Sequence, residues 1–334
     1  MVKTRRDAVI VEAPERLSFS LNGTETIKFF DELKHAIFTN DIRKKKGKVQ
    51  RKAMHLRLNK IQYMSLPCAV VLSAELKRWT LMYSGAPRLV DYGQWSSRVR
   101  SLLVNLGTLK HLGVKRKSYQ RYSSRSIQDQ AILVELSSAV VQDGEKVSAL
   151  QDKLMALAKY FEPKPYIFRA LLEATNNAIE HAYEGEDALK FPNVGGGRWY
   201  ATASYDPAKD SLRFFVYDQG IGIPASLEKK DAWSSALRLV SERLGFSGHD
   251  TDVIAAAFEI GRTRTKQDER GKGLMDMLNV IKAAKSGSIR VISGQGDYTV
   301  HANGALETRQ HSSHIGGTLI EWCIPYSAFK REER

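Results

Sequence analysis

In the stretch LLEATNNAIEHAY, residues 171–183, five side chains that can hold a cation or move a proton fall within nine positions: Glu173, Asn176, Asn177, Glu180 and His181. Ile167, Leu171, Ala174, Ala178 and Ala182 recur at steps of three and four, which makes the segment a helix with a core-facing stripe. Glu173, Asn177, Glu180 and His181 share a different face. A solvated face favours Lys, Arg, Glu and Gln, whereas Asn is a mediocre helix former because its amide competes for nearby backbone groups. Two adjacent Asn in mid-helix therefore point to a cost tolerated for chemistry. The neutral oxygen of Asn177 suits a magnesium ion that already carries phosphate and water ligands. Glu173, one turn earlier, can orient or deprotonate a water or a hydroxyl. Alone, such a pattern is commonly structural.

Three later segments give it company. SLRFFVYDQGIGIP (211–224) reads as a strand that runs into Asp218, followed by Gly220 and Gly222. A carboxylate at a strand end can accept a hydrogen bond from an exocyclic amine such as that of adenine, and the glycines permit close backbone approach and positive φ. DERGKGLMDMLNVIKAA (268–284) sets Gly271 and Gly273 before an apolar helix, whose first amides and dipole would bind phosphate. Lys272 either adds a charge there or points into water. GGTLIEWCIP (316–325) enters a closing strand at Thr318, which can support the base edge directly or through water.

Taken in this order, E-x3-N, D-x-G-x-G, G-x-G before a helix and G-T before a strand resemble the ATP-binding family of gyrase, histidine kinases, the heat-shock chaperone and the mismatch-repair ATPases (GHKL). EATNNAIEHAY, YDQGIGIP and ERGKGLMDM look nearest to its anti-sigma factor serine kinases. The resemblance covers residues 145–326 and implies an α/β sandwich, a mixed sheet backed by helices, that binds ATP and Mg2+. By motif, Asn177 would hold Mg2+, Glu173 would act as base or water-orienter and Asp218 would read adenine. Gly220 and Gly222 would line the base pocket, and Gly271 and Gly273 would close over the phosphates. His181 matches a position that is often basic near the phosphates, or it is a hydrogen-bonded histidine at the helix edge. Residues 225–265, with a helix DAWSSALRLVSERLGF and a hinge at Gly261, would form the lid, and Arg262 or Arg264 would reach the γ-phosphate or remain solvated.

Other site types find little support. His301, His311 and His314 lie among Gly, Ser and Asn without a companion cysteine, which suits a hairpin loop better than zinc. Neither a G-x4-G-K-[ST] loop nor an H-E-x-x-H pair is present. Residues 112–180 contain no histidine, which disfavours a histidine kinase with its acceptor just upstream.

The elements that must position these residues fall into two domains, 15–117 and 145–326, joined by a linker and first segment at 118–144. In the first, RLSFSL, MHLRLNKIQYM and APRLVDYG read as strands. TETIKFFDELKHAIF, LPCAVVLSAELKRW and WSSRVRSLLVNLGTLKHLGV read as helices, the last broken near Gly107. The order implies a small sheet with helices packed on it, and it resembles the STAS domain of anti-sigma factor antagonists. The phosphoacceptor turn of that family's regulated members is replaced here by YMSLPC, where Ser65 is either a hydroxyl acceptor or the helix cap.

Charge separates the two parts. Residues 1–125 carry a net +17 and the remainder −3. The run RKKKGKVQRK holds Arg43, Lys44, Lys45, Lys46, Lys48, Arg51 and Lys52, which is either a solvated loop or a surface for nucleic acid or an acidic partner. No stretch of eighteen apolar residues occurs, and Cys68 and Cys323 sit in apolar surroundings, which leads us to expect a soluble cytoplasmic chain with two buried thiols. The expected function is that of a regulatory Mg-ATP-binding protein. It would be either a serine/threonine kinase acting on a partner protein or an ATPase that times a lid or homodimer switch. The alternative is a nucleic-acid-binding regulator that only senses ATP.

Overall fold

The computed structural model describes residues 2–4, 8–38, 42–45, 48–51, 53–83, 88–90, 92–112, 114, 119, 132–133, 135–140, 144–157, 165–183, 189–194, 196–228, 248–263 and 272–329. The chain is of mixed helix and sheet, and it divides into two compact units whose main boundary falls after Ile127.

In the first unit, β1 (Val2–Thr4), β2 (Ala8–Glu12), β6 (Ala53–Arg57) and β8 (Arg88–Val90) form a four-stranded sheet in that order. The β1–β2 pair is antiparallel, and β2–β6 and β6–β8 are parallel. Met54, Leu56 and Leu58 are buried and alternate with half-buried His55 and Arg57, the period of a strand covered on one face. Helix α1 (Gly23–Phe38) buries Ile27, Phe30, Leu33 and Ile37, the stripe read from sequence. Only Arg16–Leu17 of RLSFSL is a strand, β3, and it pairs in parallel with β7 (Tyr63–Met64). The basic run forms an antiparallel pair, β4 (Ile42–Lys45) and β5 (Lys48–Arg51), in place of the loop that its charge suggested.

Helix α2 (Leu66–Tyr83) is the crossover that parallel β6 and β8 require. Ser65 is not its side-chain cap. The Ser65 carbonyl accepts from the Ala69 amide, but its Oγ is buried without a hydrogen-bond partner. Pro67 supplies the reason, since it removes one of the two amides to which a capping hydroxyl normally binds. Lys34 of α1 and Glu75 and Arg78 of α2 form a buried ionic cluster that ties the two helices. Helix α3 (Ser97–Asn105) is capped by Ser96, and Gly107, at φ +74°, separates it from α4 (Thr108–His111).

The second unit is built on an antiparallel sheet, not the mixed sheet expected. Its strands are β9 (Ile132–Leu133), β10 (Ser137–Ala139), β11 (Trp199–Asp206), β12 (Ser211–Asp218), β13 (Ser288–Ser293), β14 (Gly296–His301), β15 (Leu306–Gln310) and β16 (Thr318–Pro325). They run in the order β10-β11-β12-β16-β13-β14-β15, with β9 also on β11. Every described pairing in this sheet is antiparallel. Short turns join β11 to β12, β13 to β14 and β14 to β15, and such turns allow no parallel neighbour. Among the described residues, parallel ladders occur only in the first unit.

Helices α5 (Gly144–Leu157), α6 (Pro165–Glu180), α8 (Asp250–Thr263) and α9 (Lys272–Ala284) pack on this sheet, and the short α7 (Ile223–Glu228) follows β12. Ile167, Ala170, Leu171, Ala174 and Ala178 of α6 share one core with Trp199, Ala201, Phe214, Val216, Ile320 and Trp322 of the strands. Helix α8 runs unbroken through Gly261, so that glycine is a helical residue and not a loop hinge. Segment 231–246, Arg264 and the linker 120–126 lie outside the described residues.

Candidate functional site

Strand parity sets the first component. Leu212, Phe214 and Val216 of β12 face the helices and are buried, and Asp218, two residues after Val216, falls on the same face. The carboxylate thus occupies a core-facing position at the sheet's end and is only 7% exposed. Its Oδ1 accepts from the amides of Gly220 at 2.9 Å and Thr318 at 3.2 Å. Burial dominates and raises its pKa to about 7, against the lowering effect of the Gly220 and Thr318 hydrogen bonds. Thr318 opens the neighbouring β16, and its Oγ1 lies 2.9 Å from Ser293 Oγ. Ser293 Oγ in turn accepts from the Ile223 amide at 2.8 Å, which fixes the start of α7 beside the aspartate.

The turn after Asp218 rests on the end of α6. The Ile221 amide donates to the Ala182 carbonyl at 2.7 Å, and a Cβ on Gly220 would meet that same oxygen at 2.1 Å. Only glycine permits this approach. Gly222, at φ +86°, completes the turn against Ser293. Tyr183 adds a second tie: its hydroxyl donates to the Arg198 carbonyl at 2.7 Å and accepts from the Gln219 amide at 3.0 Å. The Asp218 turn and the last turn of α6 are therefore one structural block.

Glu173 and Asn177 lie one turn apart on α6, both half-buried. The Glu173 carboxyl is held above the usual carboxylate range, first by burial, then by the charges of Asp276 and Glu180. Asp276 belongs to α9, which packs alongside α6. His181 sits at the helix end with its Nε2 3.9 Å from Glu180, one-third exposed. Lys272 and Gly273 open α9, as the sequence suggested for a phosphate-binding helix start, while Gly271 lies outside the described residues. The structure thus gathers Asp218, Gly220, Gly222 and Thr318 at the end of α6. It also sets Glu173 within electrostatic reach of α9.

The histidine-rich hairpin has other uses. His301 Nε2 is 2.8 Å from Glu307, and buried His311 stands 3.4 Å from Asp297, which also receives Arg290. Among the described residues, no group of three or more His, Cys, Asp or Glu is placed to hold a metal ion. Cys68 is buried, but Cys323 is half-buried, and neither is in a disulfide. No helix among the described residues is long and apolar enough to cross a membrane.

Sequence reasoning missed Tyr183, Ser293 and Asp276. Tyr183 and Ser293 carried no local signal, because their partners are distant in sequence. Asp276 was detectable as the one carboxylate of α9, between Met275 and Met277. Replacing Tyr183 by Phe removes both hydroxyl contacts while keeping the ring. The expected result is a loss of stability on the order of 2 kcal/mol, read as a lower melting temperature. An unchanged melting temperature would show that the hydroxyl does not hold the Asp218 turn. Compared with known proteins, the chain matches no family model and no curated sequence.

Proposed function

We propose that the second unit binds Mg-ATP as a regulatory module of the GHKL type, with ATP hydrolysis or serine/threonine phosphorylation as its reaction. One observation supports this most. The buried Asp218, held by Gly220 and Thr318, stands at the end of the helix that bears Glu173 and Asn177. One carboxylate oxygen anchored by two amides leaves the group oriented to accept from an exocyclic amine, and Thr318 lies beside it for a second base contact. The glycine turn that follows would admit a flat base against backbone.

Asn177 offers a neutral oxygen on the half-buried flank of α6, which fits a magnesium ion that takes its other ligands from phosphates and water. When bound, such an ion neutralises charge on the phosphates. Lys272 and Gly273 at the start of α9 would receive the phosphates at a helix N-terminus. Glu173, its carboxyl held above the usual carboxylate range by burial, accepts the proton of a water or of a partner's hydroxyl. The freed oxygen forms a bond to the γ-phosphorus, and the bond to the β–γ bridging oxygen breaks with its electron pair to ADP. Water as acceptor gives an ATPase, and a seryl or threonyl hydroxyl gives a kinase. The motif wording favours the kinase.

The deciding experiment incubates the full chain with γ-labelled ATP and Mg2+, alone and with cell extract. Label on a partner protein identifies a kinase, and free labelled phosphate an ATPase. No product together with no heat in a calorimetric titration of adenine nucleotide overturns the reading.

A further inference from the structure

Strand β15 closes one edge of the second sheet, and among the described residues it pairs with β14 alone. The ladder fixes which of its backbone groups are left over. The His301 amide donates to the Ala305 carbonyl at 2.9 Å, and the His311 amide donates to the Gln295 carbonyl at 2.8 Å. Bonded and non-bonded pairs alternate along an antiparallel ladder. Between those two ends, Thr299 lies opposite Glu307 and Asp297 opposite Arg309, so these are the bonded pairs. The amides and carbonyls of Leu306, Thr308 and Gln310 therefore point away from β14, along the outer edge. Thr308 lies opposite Tyr298 of the helix-side core, which puts Leu306, Thr308 and Gln310 on that face and Glu307 and Arg309 on the other.

Leu306, Glu307, Thr308 and Arg309 are all exposed, and the large apolar Leu306 is 53% exposed. Proline, lysine and bulges commonly blunt an edge strand, but LETRQ contains neither residue and its register runs without a bulge. An open edge of this kind is a template for another strand. The segment is complementary to itself when turned end for end. Set antiparallel to a second copy about Thr308, Glu307 faces Arg309 of the copy, and Arg309 faces its Glu307. Leu306 then faces Gln310, and Thr308 faces Thr308. Those last pairs join the residues with outward amides, so they can exchange hydrogen bonds. The charged residues fall in the non-bonded pairs, where side chains approach more closely. A two-fold axis at Glu307 or at Arg309 would instead set like charges opposite each other, which is destabilising. Hydrogen bonding and charge thus select the same register.

We propose that β15 is a homodimer edge, through which two copies of this chain join their second sheets antiparallel about Thr308. The contact is isologous and closes at two copies, so it covers the edge instead of propagating along it. A single strand of five residues makes a narrow interface, and the dimer is accordingly weak and dependent on protein concentration. This surface rests on no part of the nucleotide reading of the second unit.

The test is sedimentation velocity of the full chain without nucleotide, from about 1 to about 100 μM protein. Salt is held at about 0.15 M, where the repulsion between two chains of net charge +14 is screened. The parent should pass from monomer to dimer across that range. Thr308→Pro removes an outward amide and spares the ladder to β14, a place where an edge strand tolerates proline. It should weaken the dimer at least about tenfold. Glu307→Arg and Arg309→Glu each set like charges opposite across the two-fold axis and should each weaken it about tenfold. The double variant, Glu307→Arg with Arg309→Glu, restores opposite charges and should return to within about threefold of the parent. That recovery distinguishes a lost contact from a damaged hairpin, and thermal melting checks that every variant is folded. A parent that stays monomeric throughout overturns the proposal. A dimer undiminished in Thr308→Pro or in both single reversals places the interface elsewhere and overturns it too. Failure of the double variant to recover overturns the register about Thr308.

Discussion

Asp218→Asn protein is expected to lose adenine-nucleotide binding and yet to melt at a higher temperature than the parent at about pH 8. Both effects come from one buried carboxylate whose pKa stands at about 7 through burial. The folded value lies above the unfolded one, so between roughly pH 4 and pH 7 the folded state keeps a proton that the unfolded state has released. Stability therefore falls as pH rises through that window, and the penalty persists in full above it. Its size is on the order of 4 kcal/mol for a shift of about three pKa units. Asparagine carries no charge to desolvate and can still accept from Gly220 and Thr318 through its oxygen. The variant should therefore flatten the pH dependence of melting.

Recognition runs the other way. The asparagine amide places a donor where the ligand's amine needs an acceptor, and a buried mismatch of this kind should weaken binding at least about 100-fold. In the parent, the ionised aspartate is the better acceptor, so affinity should rise about tenfold from pH 6 to pH 8. Calorimetric titration and melting curves at both pH values check these outcomes. Equal nucleotide affinity in parent and variant would remove Asp218 from the base site.

The second large effect concerns turnover. Glu173→Gln keeps the size and hydrogen-bonding capacity of the side chain but cannot take a proton. Turnover should drop by about 10²–10⁴ with nucleotide affinity little changed. Asn177→Ala should do the reverse, removing the part of nucleotide affinity that depends on Mg2+. Asp276 refines the test. Its negative charge helps hold Glu173 above the usual carboxylate range, so Asp276→Asn should move the acidic limb of the pH–rate profile to lower pH. A limb that stays in place in Asp276→Asn, or full turnover in Glu173→Gln, would assign the base to another residue.

Much of the local structure was legible because its causes are local. The stripe Ile27, Phe30, Leu33, Ile37 has the period of a helix and is buried in α1, and Ile167, Leu171, Ala174, Ala178 does the same for α6. The alternation of Met54, Leu56 and Leu58 marks β6. Where a local rule failed, a neighbour outweighed it. Ser65 is a good cap by type, but Pro67 removes one of the amides it would bind. Gly261 is a plausible hinge by type, but the helix that contains it continues through Thr263. A solvated loop was one of the two readings of the basic run, yet Ile42–Lys45 and Lys48–Arg51 pair as antiparallel strands.

What the sequence determined by itself is the set of chemical groups and their local geometry: which face of α6 carries Glu173 and Asn177, and that a strand ends at Asp218. Only the tertiary structure decided what those groups meet. The Thr318 amide reaches Asp218 across 100 residues of chain, Ser293 and Tyr183 close on the same turn, and Asp276 approaches Glu173 from another helix. The antiparallel order of the second sheet was hidden for the same reason. Helical and strand periods are imposed by backbone geometry within a few residues, whereas strand pairing and helix packing depend on surfaces that come together only when the whole core condenses.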